Sequence, residues 1–221
     1  MSSKSSKYDA IIVDAVNTII HKPSLSNKIL NVLRSHDIDL PTDFVMSRHK
    51  LVSELIQFPD RTSRDFYSDF NSRFLESLGI LATSELVEEI FQACSYLPWA
   101  VFDDVQALQK IGLPIAVLSN FSTALKGQLA ETVPLEFMKI VSSESIGHAK
   151  PTTEFYRKGM EEIGFAPERC LYIGDSIRLD VIPGSKIGLN CILVDRLATY
   201  PANPTVQSIS SFEQLQKIVQ A

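Results

Sequence analysis

"IIVDAVNTII", residues 11–20, opens as an uninterrupted apolar run and then halts on a carboxylate, Asp14. An apolar run with no polar alternation describes a strand buried on both faces, and such strands belong to parallel sheets covered by helices. In an open parallel sheet, ligands bind beyond the carboxyl ends of the strands. The polar residues that end the strands are therefore the place to look for a site.

Three more runs have the same character: "PIAVLSN" (114–120), "CLYIGD" (170–175) and "NCILVD" (190–195), with a weaker one, "FMKIVSS", at 137–143. Helix-length segments separate them: "STALKGQLAE", "TTEFYRKGMEEIG" and "LDVIPGSKIG". That alternation predicts an α/β fold with a doubly wound parallel sheet. "PANP" (201–204) marks a loop before a last amphipathic helix, "SFEQLQKIVQ". From 22 to 97 no strand is evident, and four segments carry helical spacing instead: "SNKILNVLRSH", "TDFVMSRHKLVSELIQF", "TSRDFYSDFNSRFLESLG" and "TSELVEEIFQACSY". Thr42 and Thr62 stand where N-caps are expected, and Gly79 where a helix should end. The expected organisation is an α/β core domain of 1–21 and 98–221 with a helical domain of 22–97 inserted, hinged near "IIHKP" and "YLPWA".

The chain has 221 residues, 45 % of them hydrophobic, and a formal net charge of −5. A mild acidic excess argues against a nucleic-acid or anionic-membrane partner, either of which favours a basic face. No run approaches the ~20 apolar residues of a membrane span. The start, "MSSKSSKYD", reads as a short frayed terminus without a signal peptide. Cys94, Cys170 and Cys191 form no CxxC pair and read as small buried hydrophobes in a reducing compartment. The expectation is a cytoplasmic protein, and oligomeric state is left open.

Strand-end residues supply the chemistry. Asp14 ends the first run, with Thr18 just beyond; Ser119 and Asn120 end the second; Asp175 ends the run at 170, with Asp180 five residues on; Lys150 follows the weak run in "GHAKP". Carboxylates crowded at one edge repel one another unless a cation joins them, and Mg²⁺ is the hard ion that oxygen ligands favour. Mg²⁺ with a lysine and a serine makes an anion site suited to a phosphoryl group.

"IIVDAVNT", "IAVLSN", "HAKP" and "LYIGDSIRLD", in that order, resemble the four motifs of the haloacid dehalogenase superfamily. The insertion between the first two resembles that family's helical cap of the first type. The resemblance runs from residue 8 to about 195. It implies that Asp14 is a nucleophile forming an aspartyl-phosphate, and that Ser119 and the Asn120 N–H bind a phosphoryl oxygen. It further implies that Lys150 neutralises charge on Asp14 and the transferring group, and that Thr18 steadies the turn. Mg²⁺ would be held by Asp14, Asp175, Asp180 and the main-chain carbonyl of Val16.

Val16 is the departure. Most phosphatases of the superfamily carry a second aspartate there, which protonates the leaving oxygen. Its loss falls on alkyl phosphates most and on acyl or aryl phosphates least. The implied function is a Mg²⁺-dependent hydrolase acting on a small phosphorylated metabolite. A 2-haloacid dehalogenase or phosphonate-cleaving hydrolase of small halogenated or phosphonate substrates, and a catalytically silent binding protein, stand beside it. The dehalogenase reading is weakened by Asp175, an acid that chemistry does not need. Lys28 and Lys50 are available in the insertion for a Schiff base, but neither sits in a matching motif. His21, His36, His49 and His148 show no ligand spacing and are read as non-catalytic.

Overall fold

The computed structural model describes residues 7–59, 61–200 and 205–220. Residues 1–6 of the start expected to fray, and the "PANP" loop, lie outside the described residues, while Tyr8 is buried and Asp9 is paired with Arg169. The chain divides into two compact units, one of residues up to His21 together with Val101 onward, the other Lys22–Ala100.

In chain order, β1 (Ala10–Val13) and the two-residue β2 (Ile20–His21) precede four helices: α1 (Leu25–Ser35), α2 (Thr42–Leu55), α3 (Arg64–Ser77) and α4 (Ser84–Cys94). β3 (Ala100–Val101) then pairs with β2. After a 3-10 helix, Asp103–Ile111, come β4 (Ile115–Ser119), α5 (Leu125–Thr132), β5 (Lys139–Ser142), α6 (Ser143–Ile146) and α7 (Thr153–Ile163). β6 (Cys170–Gly174), a π-helical turn at Ile177–Val181, α8 (Ile182–Lys186), β7 (Asn190–Val194), β8 (Ser208–Ile209) and α9 (Leu215–Gln220) complete it. No helix of the described residues is long and apolar enough to cross a membrane.

The first unit is the doubly wound sheet. Its six strands run in the order β5-β4-β1-β6-β7-β8, each pair of neighbours parallel. β1, β4 and β6 are buried at every residue, which is why their sequences do not alternate. α7 presents Phe155, Tyr156, Met160 and Ile163 to Ile12, Leu118 and Tyr172. It begins on Thr152, whose hydroxyl accepts from the Phe155 N–H, and ends on left-handed Gly164. α7 also lies so close to β4 that a Cβ at Gly159 would sit 2.4 Å from Leu118 Cδ1.

The second unit holds its own core, with Ile29 and Leu33 from α1, Val45 and Val52 from α2, Phe70 and Phe74 from α3, and Leu86 and Ile90 from α4. Two N-caps fall one residue from their expected places. Pro41 occupies the cap of α2 in extended conformation, making Thr42 the first helical residue. For α3 the cap is Ser63, whose hydroxyl accepts from the Phe66 N–H at 3.1 Å, rather than Thr62.

His49 stands edge-on to Phe70 and Phe74, with ring centroids 5.0 and 5.3 Å away. Burial, and then neighbouring Lys50, push its imidazole down to about 4. In the unfolded chain it titrates near ~6.5. Between those values the unfolded state binds a proton that the folded state refuses, so stability falls as pH drops through the window. Allowing for partial exposure, urea melts at about pH 7 and about pH 5 should show wild type losing roughly 1–2 kcal/mol more than His49→Gln. Parallel losses in the two proteins would remove His49 as the cause.

Candidate active site

The sheet changes direction beside β1, with β4 and β5 on one side and β6, β7 and β8 on the other. The crevice outside the carboxyl ends at such a switch is where α/β sheets take ligands. The Asp14 N–H donates to the Ile173 carbonyl at 2.8 Å, so the β1–β6 pairing runs one residue past the strand and fixes where its carboxylate starts.

A tight turn follows. The Ile19 and Ile20 N–H groups donate to the Ala15 carbonyl (2.9 and 3.0 Å), and the Asn17 N–H donates to that of Ile20 (2.7 Å). Asn17 is left-handed at φ 60°, a conformation asparagine tolerates better than most residues. The turn returns the Thr18 hydroxyl to within 3.3 Å of Asp14 Oδ2. Val16, half-buried, forms a bridge with Ile20 inside it.

Ser119, at the end of β4, donates from Oγ to Asp14 Oδ1 at 2.9 Å. Lys150 Nζ donates to the same oxygen at 2.5 Å and to Asp180 Oδ1 at 2.6 Å, with its side chain 2 % exposed. Asn120 fixes the Lys150 backbone: its Oδ1 accepts from the Lys150 N–H at 2.7 Å, and its Nδ2 donates to the Lys150 carbonyl at 3.1 Å. Asp180 is steadied in turn by the Tyr172 hydroxyl, which donates to Oδ1 at 2.8 Å, and by the Ser176 N–H, which donates to Oδ2 at 3.0 Å.

The π-helical turn explains how Asp180 reaches back to the strand. The Val181 N–H donates five residues back, to the Ser176 carbonyl, widening the turn. The carboxylate then lies over Gly174, where any Cβ would come within 2.3 Å of it. Only glycine leaves that space.

Burial works against a charged Lys150, but Asp14 and Asp180 outweigh it and hold the ammonium above the ordinary lysine range. Burial pushes the Asp14 carboxyl up, Lys150 opposes that, and the Asp180 charge adds to it. Two carboxylates against one ammonium leave the buried group with an excess of negative charge.

Asp14, Thr18, Ser119, Lys150 and Asp180, scattered in sequence, thus form one hydrogen-bonded group. Asn120 joins it through the Lys150 main chain, whose N–H and carbonyl its side chain holds. Asp175 is half-buried directly after β6. Among the described residues, no three His, Cys, Asp or Glu side chains gather as a metal site. Sequence reasoning missed Tyr172 and Gly174; the signals were a tyrosine within an aliphatic strand and a glycine at its end. The four histidines have structural partners: His21 stacks on Phe102, His36 meets Glu89 at 2.8 Å, His49 meets Phe70, and His148 meets Lys158 at 2.7 Å.

The two hydrogen bonds between the Asn120 side chain and the Lys150 main chain make a prediction. Asn120→Ala strands a backbone donor and acceptor and should lower unfolding free energy by about 1–3 kcal/mol in urea titrations. Wild-type stability combined with weakened ligand binding would instead return the side chain to the ligand.

The sequence profile of the haloacid dehalogenase-like hydrolases matches residues 8–188. Over 122 residues the chain is 22 % identical to glyceraldehyde 3-phosphate phosphatase of Methanocaldococcus jannaschii, a match covering 50 % of this chain and 54 % of that protein. The chain thus spans about half the length of that relative. The HAD hydrolase YfnB of Bacillus subtilis, solved bound to magnesium, superimposes with a TM-score of 0.65 at 20 % identity over 97 % of this chain and 99 % of that one. An L-2-haloacid dehalogenase does so with a TM-score of 0.64 at 16 % identity over 97 % and 99 %. At these identities the structural likeness concerns the fold alone. With that profile spanning most of the chain, and the strands running in doubly wound order, the chain belongs to the haloacid dehalogenase-like hydrolase family.

Proposed function

We propose that the protein is a Mg²⁺-dependent phosphatase of small phosphorylated metabolites that works through an aspartyl-phosphate on Asp14. One observation carries the reading: the two oxygens of the buried Asp14 carboxylate differ. Oδ1 accepts from Ser119 and Lys150, whereas Oδ2 accepts a single long bond from Thr18. Oδ2 is therefore the freer electron pair. It forms the new bond to phosphorus as the bond to the leaving oxygen breaks, and Lys150 offsets the charge that builds on the transferring group. Water then attacks the phosphorus, the bond to Asp14 breaks, and phosphate departs.

The oxygens of Asp14, Asp175 and the Val16 carbonyl are the donor set Mg²⁺ accepts, since that ion keeps several waters and needs only one or two carboxylates. The excess negative charge of the buried group supports the same fit. Those residues would hold the ion, with Asp180 on its waters or on Lys150. Its chemistry would be charge neutralisation at the phosphoryl oxygens. The three free cysteines, with thiols pushed up to about 11 by burial, support a reducing, cytosolic setting.

A second reading, carbon–halogen hydrolysis, draws on the apolar Val16; the acidic Asp175 weighs against it. The test uses p-nitrophenyl phosphate and acetyl phosphate, with Mg²⁺ and with EDTA, alongside Asp14→Asn. Phosphate release that needs the metal and that Asp14→Asn loses is expected. Silence on both, with halide released from 2-haloacids, would replace the proposal with the second reading. Restoring the missing acid gives a further check. Val16→Asp should raise turnover of an alkyl phosphate well above any gain on an aryl one, since proton transfer is worth about 10²–10⁴-fold. Equal gains would mean that leaving-group protonation does not limit the reaction.

A further inference from the structure

Among the described residues Thr18 is the hydrogen-bond donor to Asp14 Oδ2, and something must hold Thr18. Its carbonyl accepts from Nη2 of Arg196, 178 residues away, at 2.9 Å. The same guanidinium donates from Nη1 to Asp104 Oδ2 at 2.9 Å, and that oxygen also accepts from the Phe212 N–H at 2.9 Å. The guanidinium lies 3.9 Å over the Phe102 ring and 5.0 Å from that of Phe212, with its side chain 15 % exposed. Phe102 grips the next residue of the turn, its N–H donating to the Ile19 carbonyl at 3.1 Å. Two successive turn carbonyls are thus anchored on one cluster, whose hydrogen bond to the catalytic group among the described residues is the one to Thr18.

We propose that Arg196 is a positioning residue: it fixes the turn after β1 so that the Thr18 hydroxyl orients the attacking oxygen of Asp14. The inference rests on Asp14 being the nucleophile. A lysine could keep the ion pair with Asp104 but, being a single point donor, could not also span to the Thr18 carbonyl while stacking on Phe102. If Arg196 merely tied Phe212 to the 3-10 helix at Asp103–Ile111 through Asp104, its loss would act independently of Thr18.

Arg196→Lys and Arg196→Gln would be made in wild type and in Thr18→Val, which removes the hydroxyl but keeps the carbonyl. With p-nitrophenyl phosphate, Arg196→Lys should lower kcat about 10- to 100-fold with KM nearly unchanged, as expected of a small misplacement of reacting groups. In Thr18→Val the same change should cost less than about twofold further. Equal losses in both backgrounds overturn the proposal. Arg169→Gln, which breaks the exposed pair with Asp9, is the control and should leave kcat unchanged. Amide hydrogen exchange gives a readout that needs no substrate. In Arg196→Lys the amides of Asn17, Ile19 and Ile20 should exchange faster while those of β4 do not. Unchanged exchange in the turn, or a uniform rise across the unit, overturns the clamp. A wild type that hydrolyses no phosphate sinks the phosphatase reading, and exchange alone then decides the clamp.

Discussion

The ammonium of Lys150 sits between two buried carboxylates, and the rest of the site is arranged around that fact. Taking such ions from water has an effective penalty of several kcal/mol each, so the group persists only if nearly every donor and acceptor finds a partner. The partners are present: Ser119 and Thr18 on Asp14, Tyr172 and the Ser176 N–H on Asp180, Asn120 on the Lys150 backbone. Buried ion pairs are weak evidence for stability, because apolar side chains of similar volume often do as well. A buried triad of this kind makes better sense as chemistry: a positive charge pressed on a carboxylate whose second oxygen is left comparatively free.

Bringing those residues together is the work of a parallel sheet. Val13 pairs with Val117 on one side and with Ile173 on the other, and Ser119 is level with Ser142. The strands therefore end at one edge, and residues 105 and 136 positions apart arrive within hydrogen-bonding distance of Asp14. Pairing places the strand ends; the connections then aim the side chains. The turn after β1 aims Thr18, the amide clamp aims Lys150, and the wide turn after β6 folds Asp180 over a glycine.

How much of this was readable depended on whether each feature leaves a local trace. β1, β4 and β6 announce themselves because burial on both faces removes alternation, whereas β5, only half-buried at Lys139 and Ile140, leaves a weaker run. The two-residue β2, β3 and β8 are too short to show a period. The nine-residue 3-10 helix at Asp103–Ile111 spaces Val105 and Leu108 by three, which one turn of α-helix mimics. Ser63 and Thr62 are equally good caps on paper, and only the backbone angle at Ser63 separates them. Within the site, Asp14, Ser119, Lys150 and Asp180 were legible as polar residues beyond apolar runs. Tyr172 was not, because a tyrosine in a strand reads as packing until its hydroxyl is seen on Asp180. Arg196 was least legible: its contacts are with Thr18, Phe102, Asp104 and Phe212, none near it in sequence.

Val16 then bears on the chemistry in a way that charge makes plain. The buried group already holds more negative than positive charge, and an aspartate two residues after Asp14 would add to it. With valine there, the half-buried bridge to Ile20 carries no third carboxylate. The cost falls on leaving-group protonation. An acyl phosphate departs as a carboxylate whose conjugate acid has a pKa near ~4, so at neutral pH it needs no proton; an alkoxide does. Under the proposed phosphatase reading, Val16 therefore favours substrates whose leaving group departs on its own over alkyl esters.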